Sequence, residues 1–151
     1  MATSVPTHVY SVLINLEGEN LLVPNAAVAE VAGQDQFTPR EGKPRWYIGN
    51  MRWQSRELPV ISVEAMLGHP VPEMQRKSRL VALNAPAQAA AFAILSRSYP
   101  MIVTLNEMAL QPEALGENEP DKLIYARVRV ANRQAMIPDL DGLAALVRKV
   151  S

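Results

Sequence analysis

The sequence predicts an all-β protein with a few short helices. Apolar and polar residues alternate with period two in several segments, turn residues recur between those segments, and no segment carries a long amphipathic helical pattern. The second half of the chain also repeats the order of the first, with strand, turn and strand before a short helix. We therefore expect two small β units related by a weak internal repeat.

The first half opens with a predicted hairpin. Alternating apolar residues run from Tyr10 to Leu16, the turn EGEN follows, and the apolar segment LLVP returns the chain. The next segment, NAAVAEVA, is predicted as a short helix capped by Asn25. Residues 34–45 carry two prolines and a glycine and are predicted as a loop.

The second half contains two more predicted hairpins. The segment RLVALNAPAQAAAFAIL is predicted as strand, turn at 84–87, and strand. The alternation of apolar residues at 124, 126, 128 and 130 is the clearest strand pattern in the chain, and Asn132 with Arg133 would form its turn. Residues 68–78, with two prolines and several charges, are the predicted boundary between the halves, and 111–121 is a predicted acidic loop.

The two halves end alike. SVEAML at Ser62 and DLDGLA at Asp139 share the order polar, apolar, acidic, small and apolar, so each is predicted to be a strand that passes into a helix. The C-terminal segment LDGLAALVRKV places its apolar residues at helical spacing and has basic residues near its end. The chain therefore has a predicted C-terminal helix.

The composition removes several kinds of site. The chain has no cysteine, which excludes disulfides, thiolate nucleophiles, iron–sulfur clusters and cysteine zinc sites. Its two histidines, His8 and His69, lie far apart without carboxylates at ligand spacing. The sequence contains neither a nucleophile elbow nor a glycine-rich phosphate loop. We expect no catalytic residues, no metal and no cofactor.

Charge and hydropathy bound the location and the partners. Lys plus Arg and Asp plus Glu are 15 each, so no net field draws the molecule to nucleic acid or anionic lipid. The N-terminus has no basic leader or small-residue cleavage site, and the longest apolar run, residues 89–95, is far shorter than the about 20 residues that span a bilayer. We expect a cytoplasmic protein that does not insert into the membrane.

Residues 40–56 are unusually rich in arginine and aromatic side chains. The basic members are Arg40, Lys43, Arg45, Arg52 and Arg56, and the aromatic members are Trp46, Tyr47 and Trp53. Small β-barrels stack bases on such aromatics, so a nucleic-acid-binding barrel is the alternative function. Glu41 and Glu57 dilute the cluster, and the rest of the chain has no basic stripe. Core packing is the favoured interpretation of the two tryptophans.

Three segments occur in an order that is similar to a known family. VAEVAGQDQFT resembles a Val-x-Glu-Ile segment and the loop behind it, WYIGNMRWQS an aromatic-x-x-Gly-x-x-Asn-Leu-Arg-Gly stretch, and LPVISV a Val-Pro-Ile-Val-Asp-Leu strand. These are segments of CheW, the adaptor of bacterial chemosensory arrays, and the resemblance extends from about Tyr10 to Val150. It implies a single domain over 1–151 made of two five-stranded SH3-like barrels packed side by side.

The resemblance also implies a role and partners. A CheW-like protein is a non-catalytic adaptor that couples the regulatory domain of a CheA-like histidine kinase to the cytoplasmic tip of a methyl-accepting chemoreceptor. The tip is a helical hairpin, which a groove between the barrels would hold. Such an adaptor works in the cytoplasm, at membrane-associated arrays, and the resemblance implies no nucleic-acid partner.

Six residues are the predicted partner-binding site by this resemblance. Val28 and Val31 would be apolar contacts, although ordinary core packing explains them equally well, and Glu30 would select a basic partner surface. Gly49 would permit close backbone approach or a turn at positive φ, and Trp53 would anchor an interface if exposed. The sixth residue, Gln54, stands where the family has an arginine that contacts partners.

The departures from the family pattern are as informative as the matches. Where the family has Asn-Leu-Arg-Gly, this chain has Arg52, Trp53, Gln54 and Ser55, so the arginine and the turn glycine are both replaced. Ser62 replaces the strand aspartate. We therefore expect the adaptor role to carry over better than the receptor contact. The resemblance with these departures also implies a divergent adaptor from a chemosensory system that controls type IV pili and twitching motility, where variant CheW-like proteins occur.

Overall fold

The structure is a computed structural model that describes residues 9–85, 90–105, 110–113, 124–130 and 133–150. Its strands are β1 (Val9–Asn15), β2 (Asn20–Pro24), β3 (Val28–Ala32), β4 (Phe37–Pro39), β5 (Tyr47–Trp53), β6 (Arg56–Ile61), β7 (Arg79–Ala85), β8 (Ala90–Ser96), β9 (Met101–Leu105), β10 (Leu110–Glu113), β11 (Ile124–Val130) and β12 (Arg133–Pro138). Its helices are α1 (Val63–Met66) and α2 (Leu140–Val150), and short 3₁₀ turns lie at Asn25–Ala27 and Gln34–Gln36.

Within the described residues the strands form two six-stranded sheets. The first sheet has the order β10-β11-β12-β2-β1-β9, and the second has the order β3-β7-β8-β6-β5-β4. Most neighbours are antiparallel, but β12 with β2 and β6 with β8 are parallel. The predicted all-β fold with a C-terminal helix is confirmed. Each sheet has one more strand than the predicted five, because the short strands β4 and β10 extend the edges.

The predicted boundary at 68–78 does not separate the two sheets. This segment lies between β6 and β7, which both belong to the second sheet. The chain changes sheet at Asn25–Ala27 and again at residues 97–100, so the second sheet is a continuous insertion between β2 and β9. Prolines and charges identify an exposed connection correctly, but they carry no information about which strands pair across it.

The prediction of a helix beginning at Asn25 is wrong. Only Asn25–Ala27 form a 3₁₀ turn, which has no side-chain cap, and β3 begins at Val28. β-branched Val28 and Val31 favour an extended backbone, and pairing with β7 satisfies the backbone groups that a helix would otherwise use. The predicted loop 34–45 likewise contains the second 3₁₀ turn and the short strand β4.

The three predicted hairpins are present. β1 and β2 pair around the EGEN turn, where the Leu16 amide donates to the Glu19 carbonyl at 2.8 Å. β7 pairs with β8, and β11 pairs with β12. The predicted turn at 84–87 begins too early, because Asn84 and Ala85 still belong to β7 and pair with β8. Arg133, predicted to share a turn with Asn132, is the first residue of β12, and residues 111–113 of the predicted acidic loop belong to β10. Residues 86–87, Asn132 and 114–121 lie outside the described residues.

The central strands bury both faces, which explains their nearly continuous apolar sequences. One face of each sheet contributes to a core shared by both sheets and α2, with Val12, Ile14, Leu21, Val81, Leu83, Phe92, Ile94, Leu143 and Val147 among its members. The opposite faces form two separate inner cores. Leu13, Leu22 and Val128 belong to that of the first sheet, and Met51, Leu58, Leu80 and Leu95 to that of the second.

Both helices begin at side-chain caps. The Ser62 hydroxyl accepts a hydrogen bond from the Ala65 amide at 3.2 Å, and a carboxylate oxygen of Asp139 accepts one from the Gly142 amide at 3.0 Å. The similar ends predicted for the two halves are therefore a shared capping arrangement. Glu64 in α1 is only 2% exposed and accepts the Glu17 amide at 2.9 Å, which joins the β1–β2 turn to the second sheet's helix.

Candidate functional site

Four of the six predicted site residues line one open groove of about 730 Å³ on the second sheet. We call it the Glu30 groove. Its lining residues are Glu30, Val31, Ala32, Gly33, Asp35, Gln36, Arg52, Trp53, Gln54 and Ser55. Segments that are separate in sequence, β3 with its following 3₁₀ turn and the β5–β6 hairpin, therefore face each other across a single surface.

One wall of the groove comes from the edge strand β3. The pairing of β3 with β7 contains a register shift between Val28 and Glu30, which is a β-bulge. A bulge re-aims the side chains that follow it. Glu30 is exposed beyond this bulge, and Val31 is half-buried in the groove wall. The 3₁₀ turn then adds Asp35, so two carboxylates line this groove.

The other wall comes from the tight turn of the β5–β6 hairpin. Trp53 pairs with Arg56, which leaves Gln54 and Ser55 as a two-residue turn. Their φ angles are 48° and 63°, as a type I′ hairpin turn requires at both central positions. Such turns favour Asn-Gly because the left-handed region is costly for residues with a Cβ atom. Both residues are exposed and line the groove.

Replacing Ser55 by glycine should raise the free energy of unfolding by about 1 kcal/mol, because glycine adopts the φ of 63° without the steric cost that a Cβ brings. Urea unfolding followed by tryptophan fluorescence measures this change. Ser55→Ala is the matched control, since it removes the hydroxyl but keeps the Cβ, and it should give no gain. An equal gain from both variants would show that the hydroxyl, and not the backbone conformation, is unfavourable.

Trp53 joins the groove to the protein interior. It is half-buried against the inner core of the second sheet, and the Arg56 guanidinium lies 5.9 Å from its ring centroid. Trp46 is also half-buried, against the shared core. Core packing thus explains most of both tryptophans, as predicted, while part of Trp53 lines the groove.

Two predicted site residues lie outside the groove. Val28 is half-buried, packs against the shared core and pairs with Leu83. Gly49 is buried and does not have a positive φ. A Cβ on Gly49 would lie 2.6 Å from two ring carbons of Phe37 and would also collide with the Thr38 carbonyl oxygen. Of the two roles predicted for Gly49, close backbone approach is therefore the one observed, within the sheet.

Two of the five basic residues of segment 40–56, Lys43 and Arg45, bind the protein's own backbone. Lys43 Nζ donates to the Val150 carbonyl at 2.5 Å, and Arg45 donates to the carbonyls of His69 at 2.8 Å and Ala65 at 3.3 Å. These contacts complete the C-terminal ends of α2 and α1, where cations are favoured. Tyr47 is only 3% exposed. The segment therefore offers little of the aromatic platform that the nucleic-acid alternative needs.

Sequence reasoning missed several groove residues. Asp35 and Gln36 lie in what was predicted to be a loop, and Arg52 was assigned only to the nucleic-acid alternative. The signal that could have found them was the match of QDQFT to the loop behind the family's Val-x-Glu-Ile segment. Ser55 could also have been identified from the sequence, because it occupies the position of the family's turn glycine.

The described part of the chain contains no group of three acidic, histidine or cysteine side chains arranged to hold a metal ion. Among the same residues, no helix combines the length and the apolarity needed to cross a membrane.

Comparisons with known proteins agree with this architecture. The family of CheW-like domains matches residues 11–148. The crystal structure of the scaffolding protein TtCheW from Thermoanaerobacter tengcongensis superposes with a TM-score of 0.76 at 14% identity, over 93% of this chain and 90% of that one. No curated protein matches the chain. Because the family match spans nearly all of the described strands and both helices, the chain belongs to the CheW-like domain family, whose members are non-catalytic scaffold adaptors in chemotaxis signalling.

Proposed function

We propose that this protein couples the regulatory domain of a CheA-like histidine kinase to the cytoplasmic tip of a methyl-accepting chemoreceptor. The observation that supports it best is the Glu30 groove, which brings Glu30, Val31, Trp53 and Gln54 to one surface. In this proposal the groove holds the kinase domain, and the receptor tip binds at a separate surface. The protein acts in the cytoplasm, at membrane-associated chemosensory arrays.

The chemistry of the groove fits protein recognition. Trp53 and Val31 supply a small apolar centre, and Trp is the residue type that most often anchors an interface. The carboxylates of Glu30 and Asp35 favour a partner surface that carries lysine or arginine. An interface of this kind buries about 800 Å² on each partner and is individually modest. Repetition in an array would make it durable.

Gln54 bears on the choice of partner. An arginine can hold a carboxylate through two parallel hydrogen bonds, whereas the neutral Gln54 amide forms ordinary ones worth about 0.5–1.5 kcal/mol each. We infer that the partner that binds the Glu30 groove lacks the carboxylate that the arginine would meet. Together with Ser55 and Ser62, this departure supports a divergent adaptor, such as one that controls type IV pili and twitching motility.

The charge of Glu30 provides the test. Glu30→Lys should weaken binding of the kinase regulatory domain by about tenfold or more, because it places a like charge opposite the partner's basic surface. Because Glu30 is exposed, the free energy of unfolding should stay within about 0.5 kcal/mol of wild type. Isothermal titration of purified protein with the kinase domain measures the first quantity, and urea unfolding measures the second.

Glu57→Lys is the matched control for this titration. Glu57 is also exposed on a strand of the second sheet but does not line the Glu30 groove, so its reversal should leave kinase binding unchanged. Unchanged affinity of Glu30→Lys would mean that the groove is not the kinase site. Binding to single-stranded DNA without binding to the kinase domain would favour the nucleic-acid alternative.

A further inference from the structure

The free edge of the first sheet carries exposed apolar side chains. Within the described residues, β9 pairs with β1 alone and ends the sheet. Ile102 is 66% exposed, Met101 is 40% exposed, and Tyr10 on the neighbouring β1 is 63% exposed. Residues 98–105 contain no charged side chain. Natural edge strands are usually protected by charges or a cover, and this edge has neither among its described neighbours.

The strand register places two of these side chains on one surface. Ile102 lies opposite Val12, and Tyr10 lies opposite Thr104, so Ile102 and Tyr10 are diagonal neighbours on the same face. Val12 on that face is buried in the shared core. The apolar surface of the core thus continues outward, past the cover of the second sheet, onto the exposed edge.

A cationic groove adjoins the other face of this edge. Met101 lines a groove of about 440 Å³ together with Lys77, Arg97 and Arg133. Lys77 and Arg133 form no salt bridge or hydrogen bond with any described side chain or backbone group, and Arg97 pairs with Glu17 at 3.1 Å in an exposed contact. The acidic residue in the groove, Glu19, is already ion-paired with Arg127 at 3.2 Å.

We propose that β9 and this cationic groove form a second docking surface, which accepts an acidic, extended segment of a partner protein as an added strand. The partner's backbone would pair with the N–H and C=O groups on the edge of β9 that faces away from β1, where no described strand pairs. Its apolar side chains would cover Tyr10 and Ile102, and its carboxylates would meet Lys77 and Arg133. The Glu30 groove has no part in this contact, so the inference does not depend on the proposed kinase site.

Charge decides between this occupant and a second copy of the chain. A second β9 would cover the apolar edge, but it carries no carboxylate and would leave Lys77 and Arg133 unmatched. An acidic segment with apolar side chains would cover the apolar edge and would also pair its carboxylates with the cations. The binding should therefore weaken as salt concentration rises.

The probe is a short synthetic peptide with alternating valine and threonine followed by three glutamates, labelled with fluorescein and titrated by fluorescence anisotropy. Ile102→Lys should weaken its binding by about tenfold or more, because a charge then occupies the apolar edge. The double variant Lys77→Glu with Arg133→Glu should weaken it similarly and should reduce its salt dependence. A peptide with glutamine in place of glutamate should bind wild type about tenfold more weakly.

Val71→Lys is the matched control, since Val71 is 36% exposed and does not line the groove beside β9. It should bind the acidic peptide like wild type, and circular dichroism should show both lysine variants folded. Failure of wild type to bind the peptide, or unchanged binding by Ile102→Lys, would overturn the proposal. It would also be overturned if sedimentation showed a wild-type dimer that Ile102→Lys abolishes, or if an oligonucleotide competed for the same surface.

Discussion

Replacing Gly49 by alanine should lower the free energy of unfolding by about 2–3 kcal/mol, in the range of overpacking in a buried site. The new methyl group would lie 2.6 Å from the Phe37 ring and would meet the Thr38 carbonyl oxygen, which is backbone and cannot rotate away. Relief requires β4 to move off β5, and that breaks the pairing of Pro39 with Gly49. Urea unfolding followed by tryptophan fluorescence measures the loss.

Gly42→Ala separates this crowding from a general effect of removing glycine. Gly42 has a φ of 80°, and a Cβ added there would meet open space. Gly42→Ala should therefore lower the free energy of unfolding only by the backbone strain, about 1–2 kcal/mol. Kinase binding by folded Gly49→Ala should be unchanged, since Gly49 is buried within the sheet, where it pairs with Pro39 of β4. Unchanged stability together with weaker kinase binding would reverse the assignment and make Gly49 a contact residue.

Phe92→Ala should lower the free energy of unfolding by about 3–5 kcal/mol, as large-to-small changes of aromatic core residues do. Phe92 is 1% exposed in the core that both sheets and α2 share. A cavity there removes contacts from both sheets, so both should be destabilised together. The measurement is hydrogen exchange of backbone amides in β1 and β7, with urea unfolding of the whole protein beside it.

Leu58→Ala is the comparison for Phe92. Leu58 is equally buried but belongs to the inner core of the second sheet alone. Its replacement by alanine should lower the free energy of unfolding by about 2–5 kcal/mol, because it also leaves a cavity in a core. If the shared core makes the sheets one cooperative unit, both variants should unfold in a single transition. Protection lost only in the second sheet of Phe92→Ala would show that the two sheets unfold independently.

Local features of the fold were predictable because local chemistry determines them. The hairpin from Tyr10 through the EGEN turn follows from alternation and turn residues, and the passage from strand to helix after Ser62 and Asp139 follows from the order of polar, apolar and acidic residues that both segments share. The pairing of strands was not predictable in the same way. Parallel pairing of β12 with β2 joins distant parts of the chain, and no local pattern specifies it.

The wrong prediction of a helix at Asn25 also results from strand pairing between distant segments. Residues 25–32 form a short segment made mostly of alanine and valine, which suits a helix or a strand. Pairing with β7 decides the outcome, and that partner lies far along the chain. Tertiary pairing thus overrides a weak local preference.

The candidate site was likewise only partly predictable from the sequence. Glu30, Val31, Trp53 and Gln54 were found through segment resemblance, but only the folded sheet shows that they share a groove with Asp35. The apolar edge at Ile102 could not be found from the sequence, because its exposure depends on β9 ending the sheet. In a central strand, the same residues would be ordinary core.

The adaptor role is tested most directly by co-sedimentation of the purified kinase with membranes that contain the chemoreceptor. We predict that the kinase enters the membrane pellet only when this protein is present, and that Glu30→Lys reduces the amount recovered while Glu57→Lys does not. Recovery of the kinase at the same level without the protein, or a protein that sediments with neither partner, would contradict the adaptor role.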